Sequence, residues 1–266
     1  MGMPGIATGI GGNTIFAYAG DLQGNLWKFD LRGASTTWAY SASTPIAKVL
    51  FVAKNPAGTS TQPITVIPSV TLNPAGGYQI GFGTGKFIEP ADALNASAAQ
   101  QSLYGIWDVD DGVTFQRVPT PVGSPSINGL LTRSLTVTVG TVTVSITGPA
   151  FTYGTGLTGQ YRGWVADLST TMERVAVDPT VDSGLMAVNS TIPGGDPCVV
   201  TGGANQYRYN PNTGLTFTTT GSNNTQGYLG SASLLEVGDT AWSVRNAAGR
   251  YLVTRKINSI SPGVGG

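Results

Sequence analysis

The amino-acid sequence predicts an all-β fold of short antiparallel sheets joined by turns and long inserted loops. The chain has 266 residues and contains 38 glycines and 16 prolines, which are residue types that favour turns. Only 11% of the residues are charged and 40% are hydrophobic, so the chain can bury a substantial core. Short segments with alternating apolar residues recur between the turn residues, as expected for half-buried strands.

The first predicted strand pair spans residues 13–31. The segments NTIFAYAG (13–20) and GNLWKFDL (24–31) alternate apolar and polar residues. The four residues from Asp21 to Gly24 form the predicted turn between them.

The clearest predicted hairpin is SLTVTVGTVTVSI, residues 134–146. A two-residue loop at Gly140 and Thr141 places all six apolar side chains on one face and the threonines on the other. Glycine as the first loop residue suits a type II′ turn. The predicted cross-strand pairs are Val139 with Val142, Val137 with Val144, and Leu135 with Ile146.

Two further apolar runs, AKVLFVAKN (47–55) and YQIGFGTGKFI (78–88), are also predicted strands. Helical signals are few. The best lies in residues 89–105, where Pro90 suits a first helical turn and alanine, leucine and glutamine favour helix. We expect one short helix or helical turn there, with a structured loop as the alternative.

An imperfect repeat points to a more specific architecture. Four short strands with alternating aromatic residues end near Asp30, Asp108, Asp167 and Asn210. Such units suit the blades of a β-propeller better than a sandwich, because each blade packs against its neighbour in the same way. The predicted fold is therefore a modified, partial β-propeller with at most one or two short helices, forming a single region over residues 1–266. A sandwich or irregular double sheet is the alternative.

Composition excludes several classes of function. The formal net charge is zero and no basic patch stands out, which argues against nucleic acid as a partner. The chain has no histidine, and its one cysteine, Cys198, rules out an internal disulfide framework. The N-terminal segment lacks the features of a signal peptide, and no run is apolar and long enough to predict a membrane-spanning segment.

Two motifs resemble ligand-binding loops but do not fit them. GFGTGKF (81–87) lacks the first glycine of a phosphate-binding loop, where Ile80 stands, and Phe87 replaces the magnesium-binding Ser or Thr. A glycine-rich strand is the better interpretation. DVDDG (108–112) could offer calcium three carboxylates, but Gly112 occupies a ligand position of an EF-hand loop, so we expect an acidic β-turn.

The sequence assigns no catalytic, cofactor-binding or metal-binding residue. Glycosidase chemistry needs two facing carboxylates, and the three glutamates are expected to be solvated at the surface. The aromatic side chains are expected to fill the interfaces between blades rather than form a sugar platform, and Cys198 to be buried or half-buried. These glutamates and aromatic residues are Glu89, Glu173, Glu236, Trp27, Trp107, Trp164, Tyr207 and Tyr209.

Five segments, in order along the chain, resemble the C-terminal propeller of the PilY/PilC family of type IV pilus tip adhesins and biogenesis proteins. They are YAGDLQGNLWKFDL (18–31), IGFGTGKFIEPAD (80–92), QQSLYGIWD (100–108), YRGWVADL (161–168) and DPCVVTGGANQYRYNPNTG (196–214). The resemblance covers most of the chain but only about the C-terminal half of the family's propeller.

The resemblance implies a non-enzymatic protein at the tip of a retractable pilus, acting in pilus assembly, adhesion and twitching motility. It implies an extracellular or cell-surface location, reached through the periplasm. The implied partners are minor pilins or other pilus components and a host or abiotic surface. A partial propeller would also leave sheet edges and one blade face uncovered.

One departure from the family concerns calcium. Members often carry an aspartate-rich calcium loop just before the YAGD strand, but here those positions read MPGIATGIGGNT (3–14) and contain no carboxylate. Calcium needs several oxygen ligands, preferably anionic. The sequence therefore predicts no cofactor.

Two other functions remain as alternatives. A chain low in charge with open sheet edges could self-associate into an extracellular filament or surface layer. AGDLQGNLWKFDL (19–31) also resembles a blade repeat of quinoprotein dehydrogenases, which hold pyrroloquinoline quinone and calcium. Against that enzyme, the unit does not recur at a regular period and adjacent cysteines are absent.

Overall fold

The computed structural model describes residues 2–33, 46–94, 99–117, 129–138, 143–155, 159–182, 184–194 and 202–216, and the backbone of four strands beyond residue 221. These residues form twenty strands and one helix, α1 (Pro90–Leu94). In chain order the strands are β1 (Gly5–Thr8), β2 (Thr14–Gly20), β3 (Asn25–Asp30), β4 (Ala47–Val52), β5 (Ser69–Leu72), β6 (Tyr78–Gly83), β7 (Ser102–Asp108), β8 (Phe115–Gln116), β9 (Leu131–Thr138), β10 (Thr143–Thr147), β11 (Thr152–Tyr153), β12 (Gln160–Tyr161), β13 (Gly163–Asp167), β14 (Thr180–Asp182), β15 (Leu185–Asn189), β16 (Ala204–Tyr209), β17 (Ser222–Asn224), β18 (Ser233–Val237), β19 (Thr240–Ala247) and β20 (Arg250–Ile257).

The first sheet has the strand order β1-β2-β3-β4-β8. The predicted turn joins β2 to β3, and Gly24 adopts a left-handed φ of 81° there, which glycine tolerates without steric cost. The fifth strand of this sheet, β8, pairs parallel with β4. Strands β5, β6 and β7, which belong to the second sheet, lie between β4 and β8 along the chain.

The second sheet has the order β10-β9-β13-β7-β6-β5. Strand β13 runs antiparallel to β7 and parallel to β9. The predicted hairpin forms its outer edge as β9 and β10, with Val137 opposite Val144 and Leu135 opposite Ile146, so the predicted register is confirmed. Val139, Val142 and the predicted turn lie outside the described residues.

The third sheet has the order β14-β15-β16-β17, and a fourth contains β18-β19-β20. The short strands β11 and β12 form a parallel pair. Strand β1 lies beside β5, and β14 lies beside β18, so the first strands of neighbouring sheets adjoin. This is the arrangement of consecutive propeller blades, and it confirms the predicted modified, partial propeller.

The core between the first two sheets is aromatic. Phe51 of β4 packs against Tyr104 of β7 with ring centroids 5.3 Å apart, and Tyr104 stacks on Phe82 of β6 at the same distance. Phe16 of β2 meets Tyr78 of β6 edge-on at 5.9 Å. Such pairs add to the area that they bury, and they hold the two sheets face to face.

The core between the second and third sheets depends on small residues. Successive side chains in a strand point to opposite faces, so β6 presents Gly81 and Gly83 on the face away from Phe82. A Cβ atom at Gly81 would lie 2.6 Å from Met186 Sδ, and one at Gly83 would lie 2.4 Å from Val175 Cγ2. The predicted glycine-rich strand therefore exists. The lack of side chains at Gly81 and Gly83 leaves room for Met186 of β15 and for Val175, which precedes β14.

The helical segment is shorter than the 89–105 pattern. Helix α1 covers five residues, and residues 102–105 belong to strand β7 instead. All seven residues of β7 are buried, so tertiary packing overrides the local helical preference at Gln101 to Gly105. No described helix has the length and hydropathy needed to cross a bilayer.

Candidate functional site

A cleft of about 320 Å³ opens between the first sheet and the turn that follows β7. Its lining combines an apolar wall with a dense set of charged side chains: Lys28, Asp30, Arg32, Lys48, Asp108, Asp110 and Asp111. Strand β3 and the residues after it supply Lys28, Asp30 and Arg32. The end of β7 supplies Asp108, so the cleft lies where the first two blades meet.

Lys28 is the centre of this charged set. Its Nζ lies 2.7 Å from Asp108 Oδ2 and 2.6 Å from Asp110 Oδ1. The Lys28 side chain is only 12% exposed and that of Asp108 only 2% exposed. The Lys28 ammonium also lies 3.9 Å from the centroid of the Phe16 ring. A buried carboxylate needs such a partner, because an unpaired buried charge is strongly unfavourable.

Hydrogen bonds complete the environment of Asp108. The Tyr18 hydroxyl donates to Asp108 Oδ2 at 2.7 Å, and the Asp110 amide donates to Asp108 Oδ1 at 2.9 Å. Burial, together with the nearby charge of Asp108, raises the pKa of Tyr18 far above its usual value. Tyr18 therefore stays a hydrogen-bond donor.

The acidic turn after β7 is held by its own side chains, as predicted. Asp110 adopts a left-handed φ of 59°, a conformation that aspartate tolerates better than most residues. Asp111 accepts a bond from the Val113 amide at 3.1 Å and pairs with Arg162 at 2.7 Å. Although partial burial alone would raise the pKa of Asp111, the bond from Arg162 holds it below its usual value.

Asp21 lies in the turn of the first strand pair, and both of its carboxylate oxygens accept hydrogen bonds there. Its carboxylate accepts bonds from the amides of Gln23 and Asn25, both at 2.9 Å, and from the Trp27 indole N–H at 2.9 Å. Partial burial would raise its pKa, but these bonds lower it overall. Trp27 is half-buried rather than fully buried, because its indole reaches out to this turn.

A second charged pair joins the first two blades on the opposite side. Arg117, after β8, makes two bonds to Asp167 at the end of β13, at 2.6 Å and 2.8 Å. The Ser102 hydroxyl donates to Asp167 at 2.7 Å. The pKa of Arg117 stays raised although burial would lower it, because Asp167 stabilises the charged guanidinium. Sequence reasoning missed this pair, since the partners are 50 positions apart and belong to no motif.

The expectation of a solvated Glu173 is wrong. Glu173 is only 2% exposed, and its Oε1 accepts bonds from Ser190 Oγ at 2.5 Å, Tyr207 Oη at 2.5 Å and Asn205 Nδ2 at 2.9 Å. Burial and the neighbouring Glu173 raise the pKa of Tyr207 well above its usual value. Glu173 therefore organises polar side chains of the third sheet: Asn205 and Tyr207 on β16, and Ser190 directly after β15.

The other residues singled out by sequence divide into three groups. Glu89 is at the surface and pairs with Lys86 at 3.0 Å. Four aromatic residues are buried as predicted: Trp107, Trp164, Tyr207 and Tyr209. Cys198 lies outside the described residues, as does the side chain of Glu236.

The described residues do not assemble a metal centre: no group of three or more histidine, cysteine, aspartate or glutamate side chains in them could hold an ion. The turn before β2, where the resembling family has its calcium loop, closes through backbone bonds from Gly9 to Asn13 and from Gly12 to Gly9. This turn offers neutral oxygen atoms and no carboxylate, whereas calcium sites prefer anionic oxygen ligands.

The described blades and their aromatic interfaces define a β-propeller. A family model described as the PilY1 beta-propeller domain matches residues 6–145. The chain belongs to the PilY1 β-propeller family. This confirms the resemblance seen in the sequence motifs.

Curated relatives agree with that family. The chain is 29% identical over 218 residues to the type IV pilus biogenesis factor PilY1 of Pseudomonas aeruginosa strain PAO1, and the match covers 73% of this chain. It is 31% identical over 196 residues to a PilY1 homolog of Xylella fastidiosa, covering 71% of this chain. The matches span only 18% and 12% of those two relatives' own lengths.

A solved structure shares the fold. The crystal structure of the C-terminal domain of Pseudomonas aeruginosa PilY1 matches with a TM-score of 0.64 at 24% sequence identity. The match covers 94% of this chain and 60% of that chain.

Proposed function

We propose that this chain is part of a non-enzymatic type IV pilus tip and biogenesis component. It would act in pilus assembly, adhesion and twitching motility by binding minor pilins, other pilus components or a surface, outside the cytoplasm. The observation that carries the proposal is the family match over residues 6–145, because relatives of this family bear the name of pilus biogenesis factors.

The chemistry of the described residues supports a binding role. Lys28 and Arg32 are engaged in ion pairs with Asp108 and Asp110 across the first two blades, and catalysis instead requires a positioned acid, base or nucleophile. Loops on a rigid β scaffold are where binding residues commonly lie. The blades would thus present loops and edges rather than a reaction centre.

A genetic experiment tests this proposal. The parent gene is replaced by a copy that lacks the codons for residues 5–209, and a Gly11→Ala copy serves as the matched control. Surface pili are counted by electron microscopy, and twitching zones and surface attachment are measured. We expect the deletion to reduce all three and the control to preserve them. Normal pili, twitching and attachment in the deletion strain would overturn the proposal.

Self-association is a second candidate function. Strands β1 and β5 end their sheets and lie beside each other, so each covers part of the other's edge. Neither contains a charged residue, and they expose Ile6 (57%) and Leu72 (74%), which are apolar side chains that a second copy could cover. Size-exclusion chromatography and electron microscopy of the pure chain test this candidate: regular fibres would support it, and discrete monomers would exclude it.

A further inference from the structure

A second cleft, of about 220 Å³, shares no lining residue with the charged cleft between the first two blades. One wall is formed by residues 99–101, which lead into β7, and the other by residues 168–174, which follow β13. The Leu168 amide donates to the Gln101 carbonyl at 2.9 Å and joins the two walls. Sites for drug-sized ligands usually enclose about 300–1,000 Å³, so this cleft suits a smaller molecule.

Two buried charges of opposite sign belong to the second wall. Glu173 is 2% exposed and Arg174 is 4% exposed, and among the described residues neither forms an ion pair. Arg174 donates from Nε to the Met172 carbonyl and from Nη1 to the Lys86 carbonyl, both at 3.0 Å. Burial lowers the pKa of Arg174, and the charge of Asp92 offsets this only in part. Buried charges without a contacting counter-ion are unfavourable, so both side chains favour a charged ligand group.

Three buried polar atoms of the cleft residues have no hydrogen-bond partner in the part of the chain that the structure describes. They are Gln101 Oε1, Glu173 Oε2 and Arg174 Nη2. The amide and carboxylate oxygens accept hydrogen bonds, and the guanidinium nitrogen only donates. A ligand that satisfies all three atoms therefore donates to two oxygens and accepts from one nitrogen. An ammonium group supplies such donors, and a carboxylate is the preferred acceptor for a guanidinium.

We propose that the second cleft binds a small zwitterion of the amino-acid class, with its carboxylate on Arg174 and its ammonium on Glu173 and Gln101. A simple anion would be repelled by Glu173 and a simple cation by Arg174, whereas a neutral sugar would leave both charges without a counter-ion. Because the three free atoms are buried, binding includes small rotations of these side chains. The terminal torsions of glutamate and glutamine turn easily.

Thermal unfolding of the unaltered chain with a series of small molecules tests the ligand class. Glycine, β-alanine and γ-aminobutyrate carry the same two charged groups at increasing separation. Acetate and methylammonium each carry one of these groups, and glucose carries neither. We expect at least one zwitterion to raise Tm in a saturable way, by roughly 3–6 °C at ten times its Kd, and the other three molecules to cause no such rise. No saturable rise with any zwitterion, or an equal rise with acetate or methylammonium, would overturn the proposal.

Matched variants locate the binding. Glu173→Gln and Arg174→Gln each remove one charge of the cleft, whereas Glu89→Gln and Arg32→Gln remove the same charges at exposed positions outside it. We expect at least tenfold weaker binding in the two cleft variants and unchanged binding in the two controls. Solutes that are excluded from protein surfaces stabilise every variant alike, so this contribution cancels in the comparison. Unchanged binding in both cleft variants, or equal weakening in the controls, would contradict the assigned site.

An NMR titration of the unaltered chain keeps the proposal testable should a cleft variant not fold. The zwitterion with the lowest Kd is added stepwise while the backbone amide signals are followed. We expect the amide signals of residues 99–101 and 168–174 to shift and to saturate together with Tm. The amide signals of residues 46–50, which line the other cleft, should stay in place. Shifts confined to other parts of the chain, or the absence of any shift, would refute the proposed site.

Discussion

Gly105 in strand β7 provides a stringent test of how Trp164, its cross-strand partner on β13, is packed between the second sheet and Tyr209 of the third. A Cβ atom there would lie 2.2 Å from Trp164 Nε1 and 2.4 Å from Trp164 Cε2, whereas ordinary contacts are 3.4–4 Å. The indole cannot simply move away. Its N–H donates to the Pro211 carbonyl at 2.9 Å, and Gly214 lies so close on the other side that a Cβ there would be 2.4 Å from the ring.

The expected magnitude for Gly105→Ala follows from two contributions. Overpacking in a filled core costs about 1–3 kcal/mol, and a weakened buried hydrogen bond adds about 1 kcal/mol. The free energy of unfolding should therefore fall by roughly 2–4 kcal/mol. Urea unfolding followed by tryptophan fluorescence measures this change as a lower midpoint at an unchanged slope.

Gly11→Ala is the matched control for this prediction. Its new Cβ would approach nothing closer than 3.7 Å, in an exposed turn, so stability should change by less than about 0.5 kcal/mol. A Gly105→Ala chain as stable as the control would refute the close approach of Gly105 to Trp164 and the confinement of the indole by its surroundings.

The remaining predictions concern the polar residues of the blades. Arg117→Met should lower the free energy of unfolding by about 3–5 kcal/mol, because it leaves the Asp167 carboxylate without its cation; urea unfolding measures this, and a loss below about 1 kcal/mol would contradict the pairing. Glu173→Ala should cost about 3 kcal/mol or more, because it removes the acceptor of three buried donors, whereas Glu173→Gln should cost less in the same assay because its amide oxygen still accepts; equal losses would argue against that role. The lowered pKa of Asp21 stabilises the fold above its unfolded pKa of about 3.9, and this stabilisation is lost as pH falls through the lower folded value, so Asp21→Asn should show a weaker loss of stability between about pH 5 and pH 3 than the unaltered chain. Parallel pH profiles for the two would contradict the hydrogen bonds assigned to this carboxylate.

Two elements could be predicted from the sequence because their structure depends on residues that are close together along the chain. The hairpin of β9 and β10 was predictable in register because a period of two places Leu135 and Val137 on one face only. The turn at Asp21 was predictable from its residue types, since aspartate and glycine favour the conformations that it needs.

Long-range electrostatics could not be predicted in the same way. The burial of Glu173 depends on Ser190, Asn205 and Tyr207, which approach it only after the third sheet forms. The Lys28 position likewise needs Asp108 and Asp110, some 80 positions away. No spacing rule in the sequence links these partners, because the sheets meet face to face rather than through neighbouring segments.

The return of strand β8 to the first sheet affects how this part of the chain responds to cutting and pulling. Residues 115–116 complete a sheet that begins at residue 5, and strands β5 to β7 of the next sheet lie between them along the chain. A protease cut or a domain boundary placed anywhere between β4 and β8 would therefore separate one blade from its own last strand. Under tension the first two blades should open as one mechanical unit, with the rupture of β8 from β4 as a shared early step.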